Sequence, residues 1–325
     1  NKTEAKKAVL IYNSKYKNID SDILAEWVSD LNLDELKSQI EIPELKLGFD
    51  MPQELENDSI DDAAKIKTDI KVGDLIEIGR HRLLCGDSED EDTVKQFIGN
   101  ESIDMVFTDP PYNMNMGGND KNNPDSLKNA AKIVRERISK LTDFEPEKIS
   151  FIKDLKIGSF YICTSKDLIP RYFKIFEGLK FNILIWNKTN TIPFVFGTFH
   201  PTIEYIMFFS KDKEKVWNNK LPTEMYSKFY TSVKEEGNRE DLNSHPTIKP
   251  QGLILPKIMI SSKENGIVLD LFGGSGSTIV AAETLKRKCM MIEKETFYCQ
   301  VIINRMRKNF PELEIKVNGK EYKES

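Results

Sequence analysis

The sequence predicts an α/β fold: a mostly parallel sheet of seven strands with an antiparallel strand at its edge and helices on both faces. Three observations carry this. Short apolar runs alternate with amphipathic ones, and parallel neighbours need such crossover helices. The 325 residues with 39% hydrophobic content suffice for a sizeable core. Near the C-terminal end, an apolar run closes on a glycine-rich turn that opens a helix.

Taken in order, residues 1–38 read as helical, with Ile23, Leu24, Trp27, Val28 and Leu31 at helical spacing behind Asp20 or Ser21 as N-cap. Residues 41–70 have linker composition, with Pro43, Gly48, Pro52 and the stretch ENDSIDDAAK, which sets a domain boundary near residue 70. Beyond it, strands are expected at 82–86, 103–108, 159–164, 181–187, 203–209, 267–271 and 288–293. Helical patterns fit 91–98, 126–141, 167–178, 249–262, 276–287 and 295–309. No helical pattern separates 181–187 from 203–209, so those two strands are expected to pair as the antiparallel edge. Two stretches fit no strand-helix unit and are candidate partner-contacting loops: 113–150, and 211–244 with its Lys, Asn, Tyr and Trp217.

Composition narrows the function. No run approaches the roughly 20 apolar residues that span a bilayer, and residues 1–20 lack a secretory core, so a cytoplasmic protein is expected. Cys85, Cys163, Cys289 and Cys299 form no CxxC pair and only three histidines occur, which suggests reduced core thiols and no metal site. The first residue is Asn1 rather than Met, as expected of a fragment or a processed chain. The net charge of −5 is uneven: residues 41–110 hold 19 acids against 7 bases, whereas 111–325 hold 26 against 34. The larger part is therefore basic and suited to attract phosphate.

Two motifs carry chemistry. VLDLFGGSGST at 268–278 ends a strand in glycines that admit a ligand to the backbone, at a helix N-terminus with free amide donors. It is neither a Walker loop nor GxGxxG. The next strand ends in Glu293, an acceptor for ribose hydroxyls, which points to a nucleoside-containing cofactor. The second motif, TDPPYN at 108–113, ends a buried strand with an acid, two rigid prolines and an aromatic ring. As composition alone it is a turn.

Together, DPPYN and DLFGGSGST resemble the S-adenosylmethionine-dependent amino-methyltransferases of DNA. The order, catalytic motif first, is that of their circularly permuted β group, and HPTIKP at 245–250 is similar to that group's HxTxKP segment. The resemblance implies a Rossmann-like methyltransferase sheet. KVGDLIEIGRHRLLCGDSEDEDTVKQF at 71–97 resembles the lead-in of bacterial modification methylases fused to a ParB-like domain. Residues 1–55, with AEWVSDLNLDEL and LGFD, resemble the helical tail of that domain. On this reading, 1–70 is a remnant with an acidic linker, and 71–325 is the methyltransferase domain.

The resemblance also implies roles. Asp109 and the carbonyl of Pro110 accept the two hydrogens of an exocyclic amine, Pro110 and Pro111 hold those acceptors in place, and Tyr112 stacks on a base flipped from duplex DNA. Phe272, Gly273, Gly274, Ser275, Gly276, Ser277 and Thr278 wrap S-adenosylmethionine, joined by Asp109, Asp270 and Glu293. His245, Thr247 and Lys249 lie at its methionine end, with Lys249 suited to the carboxylate. Asp87 accepts from the cofactor's adenine, or else caps helix 91–98. Glu204 resembles an acid of the family's strand pair, and Phe194, Phe196 and Phe199 are expected as core and pocket wall. Asp at the head of DPPY favours adenine N6 over cytosine N4. The alternatives are an N4-cytosine enzyme, a catalytically silent DNA-binding module, or an RNA or protein methyltransferase. No metal is required, a homodimer and a restriction-system partner are left open, and the setting implied is prokaryotic or phage.

Overall fold

The computed structural model of the chain describes residues 67–111, 144–189, 202–232 and 249–322. They form one eleven-stranded mixed sheet. The strands are β1 (Leu75–Ile78), β2 (His81–Cys85), β3 (Ile103–Thr108), β4 (Ser159–Thr164), β5 (Lys180–Lys188), β6 (Ile203–Ser210), β7 (Phe229–Ser232), β8 (Ile267–Asp270), β9 (Lys288–Glu293), β10 (Ile315–Val317) and β11 (Lys320–Glu321). The helices are α1 (Glu91–Ile98), α2 (Ile169–Ile175), α3 (Gln251–Ser261), α4 (Ser277–Thr284) and α5 (Thr296–Asn309), with 3₁₀ turns at Pro146–Asp154 and Thr223–Tyr226.

The sheet order is β11-β10-β1-β2-β9-β8-β3-β4-β6-β5-β7. Its centre, β2-β9-β8-β3-β4, is parallel throughout. The expected pairing of 181–187 with 203–209 is present and antiparallel, but its position differs from expectation. β6 is internal, antiparallel to both β4 and β5, and β7 extends the sheet beyond β5. With no crossover helix between them, β5 and β6 pair directly, and β6 meets β4 across its other edge.

The expected count of seven strands is also corrected. The other four are β1, β7, β10 and β11, none longer than four residues and each too short to show a period. β1 and β10 pair antiparallel, as do β10 and β11, extending the sheet past β2.

Alternate side chains of the central strands enter two apolar layers, as a sheet covered on both faces requires. Met290 and Ile292 of β9 join Val94, Phe97, Tyr172 and Phe176 from the α1 and α2 side. Cys289 and Met291 join Val280, Ile302 and Met306 from α4 and α5. α1 begins where Asp90 accepts from the amides of Asp92 and Thr93, so Asp90 rather than Asp87 is its N-cap. α3 is buried at every position, including Lys257, and packs against α4 and β3. All four cysteines are buried free thiols. Among the described residues no helix is long and apolar enough to cross a membrane, and no cluster of metal-ligating side chains occurs.

Candidate active site

The parallel centre brings the carboxyl ends of β3, β8, β9 and β2 side by side, where open α/β sheets hold their ligands. The two motifs meet there directly. Thr108, the last residue of β3, donates through Oγ1 to Oδ1 of Asp270 at 2.9 Å and accepts from the Leu271 amide at 3.2 Å. Asp270 lies beneath the glycine loop. Its Oδ1 also accepts from the Phe272 amide at 3.1 Å, and the Thr278 hydroxyl bonds its carboxyl. Burial pushes Asp270 up to about 7 against the pull of those bonds.

The loop needs its glycines for two reasons. Gly274 and Gly276 adopt left-handed backbone at φ 50° and 81°. At Gly273 a Cβ would stand 2.8 Å from Sδ of Met291. The loop is also braced from behind by a residue the sequence reading did not find. Arg305 of α5, buried, donates to the Ser275 carbonyl at 2.7 Å and to the Ser277 hydroxyl at 3.2 Å. Gln251 donates to the Ser277 carbonyl at 3.1 Å. Ser275 and Ser277 thus face Arg305. The available signal was an arginine on the apolar side of a helix rich in Cys299, Ile302 and Met306.

Glu293 ends β9 and accepts from the amides of Gly274 at 2.7 Å and Glu295 at 2.8 Å. Burial raises it to about 7, the two amides opposing. Asp87 follows β2 next to it, since the Gly86 amide donates to the Glu293 carbonyl at 2.9 Å. The Asp87 carboxylate accepts from Lys294 at 2.7 Å and from the Glu89 amide at 3.0 Å. Partial burial acts to raise Asp87, but those two donors hold it below its ordinary value.

Asp109 stands beyond Thr108, followed by buried Pro110 and half-buried Pro111. Its Oδ2 accepts from Lys249 at 2.5 Å, while its Oδ1 is buried without a hydrogen-bond partner. Burial raises Asp109 above the usual carboxylate range, Lys249 opposes this, and the nearby Glu204 adds to the rise. Lys249 was expected at a cofactor carboxylate. The structure sets its ammonium on Asp109 and, at 3.5 Å, on Oε2 of Glu204. Tyr112, His245 and Thr247 lie outside the described residues, as do Phe194, Phe196 and Phe199, helix 126–141, and residues 113–143 and 233–244 of the two candidate contact loops.

A family model for DNA methylases of the N6/N4 type matches residues 103–305, from the first residue of β3 to Arg305. The chain belongs to that family. Asp109, the glycine loop and Glu293 all fall inside the DNA methylase match, whereas β1, β2 and Asp87 precede it. Among curated proteins, the type II methyltransferase M.HinfI of Haemophilus influenzae is 34% identical over 240 residues, covering 66% of this chain and 66% of its own. The type II methyltransferase M2.LlaDCHI of Lactococcus lactis subsp. cremoris is 29% identical over 226 residues, covering 64% of this chain and 83% of its own. Among solved structures, the complex of M1.HpyAVI with SAM is 26% identical, covering 69% of this chain and 98% of its own, with a TM-score of 0.47.

Proposed function

We propose that this DNA methylase transfers a methyl group from S-adenosylmethionine to the N6 amino group of adenine in duplex DNA. The observation that carries the reading is the unpaired, buried Oδ1 of Asp109, an acceptor held within one hydrogen bond of the strand that bears the glycine loop. A buried acceptor without a donor is costly unless a ligand supplies one. An exocyclic amine supplies it.

The residues present fit the cofactor. Glu293 offers a carboxylate beside the loop, Asp87 stands next to it, and no side chain caps the α4 N-terminus. S-adenosylmethionine supplies a methyl group on a positively charged sulfur, so its acceptor needs only a nitrogen lone pair turned toward it. Asp109 Oδ1 accepts one amino hydrogen and the Pro110 carbonyl the other, which draws the nitrogen toward tetrahedral geometry. The prolines fix φ and keep both acceptors in place, so the contribution is preorganisation. Tyr112 stacks on the extruded base, offsetting part of its lost stacking.

In this proposal the chain is a permuted β-group enzyme, with 71–97 the lead-in of a ParB-fused methylase. The excess of bases over residues 111–325 favours a DNA backbone as partner. Adenine is preferred to cytosine because Asp heads the DPPY motif. Sequencing of modified bases in DNA from cells expressing the chain tests this. Methylated adenine within one sequence word is expected, and methylated cytosine at N4 would transfer the assignment to the cytosine enzymes.

A further inference from the structure

We infer that Glu204 and Lys188 are positioning residues for the acceptor site, acting through Lys249 on the orientation of Asp109. This rests on the proposed function only for what Asp109 accepts. Four charges alternate in a chain: Lys188 Nζ lies 2.8 Å from Glu204 Oε1, Glu204 Oε2 lies 3.5 Å from Lys249 Nζ, and Lys249 Nζ lies 2.5 Å from Asp109 Oδ2. The side chains of Lys188, Glu204 and Lys249 are each 10% exposed or less.

The sheet explains why these groups meet. Trp186 of β5 is the direct partner of Glu204 on β6, so ring and carboxylate share a face, and Lys188 returns to that face two residues on. Lys188 and Lys249 stand 5.8 and 5.9 Å from the centroid of the Trp186 ring, which favours cations at both places. The ring is itself tied, its indole N–H donating to Ser232 Oγ at 3.0 Å.

Buried ion pairs are a poor route to stability, because desolvation consumes most of the attraction. This one ends on the carboxylate whose other oxygen is unpaired, which is where orientation matters. Lys249 is shared between two acids. Without Lys188, Glu204 draws Lys249 to itself and Asp109 loses its cation. Without the Glu204 charge, Lys249 turns wholly to Asp109. Among the described residues, Asp270, Cys163 and Tyr172 also interact with Asp109, and Cys163 interacts with Glu204 as well.

The test is the titration of the Asp109 carboxyl in the full chain, followed by NMR with ¹³C-labelled aspartate and assigned by its loss in Asp109→Asn. Lys188→Met is expected to move the midpoint up by roughly one pH unit, and Glu204→Gln to move it down by a similar amount. Lys188→Arg restores it. In both shifted variants methyl transfer at saturating cofactor falls roughly tenfold, with cofactor affinity unchanged. An unchanged midpoint in Lys188→Met overturns the inference, as do shifts of one sign in both variants. Should Glu204→Gln not fold, Lys188→Met and its rescue decide alone. The proposed function fails separately, if the wild-type chain transfers no methyl group to DNA, and the titration still judges the charge chain.

Discussion

Asp109 is subject to two opposed demands. Burial favours its neutral acid, whereas the proposed acceptance of an amino hydrogen requires a carboxylate, which Lys249 favours by direct contact. Among the described residues, Asp270 has no such cation. A carboxyl raised to about 7 binds its proton in the folded state where the unfolded chain has released it, so stability falls as pH climbs from 3.8 to about 7. Asp270→Asn keeps Oδ1 as acceptor for Thr108 and Phe272 and removes the titration. Calorimetry across that range is expected to show a smaller drop in Tm for the variant than for the wild type, and an equal drop would refute the assignment. DPPY and the glycine loop made Asp109 and Glu293 legible in the sequence. The partner of Asp109 was not, because Lys249 lies 140 residues away and only the folded sheet brings them together.

At the scale of elements, the glycine loop is held by four different units: β9 through Glu293, α5 through Arg305, α3 through Gln251, and β3 through Thr108. Gly273→Ala drives a methyl group against Met291 and Ile302, whose nearest atoms would lie at 2.8 and 3.2 Å. Relief requires the loop or Met291 to move, at a cost of about 1–3 kcal/mol. Calorimetric titration with S-adenosylmethionine is expected to show affinity reduced about tenfold or more, within that range. Unchanged affinity would mean that the loop contributes little to cofactor binding. The long central strands, such as IDMVFT and SFYICT, were legible as apolar runs bounded by polar residues. The short strands were not: IKV at β10 is specified by pairing with β1, a contact between opposite ends of the described chain.

At the scale of the molecule, helix α3 leads from Lys249 to a second cavity. α3 starts two residues after Lys249 and carries Lys257 into a cavity of about 150 Å³ walled by Tyr161, Phe208, Trp217 and Tyr226. Burial lowers Lys257 to about 8, and its ammonium lies 5.9 Å from the centroid of the Tyr230 ring. A lysine lowered in the folded state weakens it most below pH 8, and the loss fades as pH rises toward 10.5. Lys257→Met is therefore expected to raise Tm at neutral pH, with an advantage that shrinks above pH 8; a lower Tm at neutral pH would show that the cation is stabilising where it stands. The same sheet brings together DPPY and the glycine loop, about 160 residues apart in sequence. The most direct measurement of that claim incubates wild type and Asp109→Ala with duplex DNA and methyl-labelled S-adenosylmethionine, then separates the nucleosides. The expected result is label in N6-methyladenine with the wild type and none with Asp109→Ala, which still binds the cofactor. Label in N4-methylcytosine, or transfer that survives in Asp109→Ala, would contradict it.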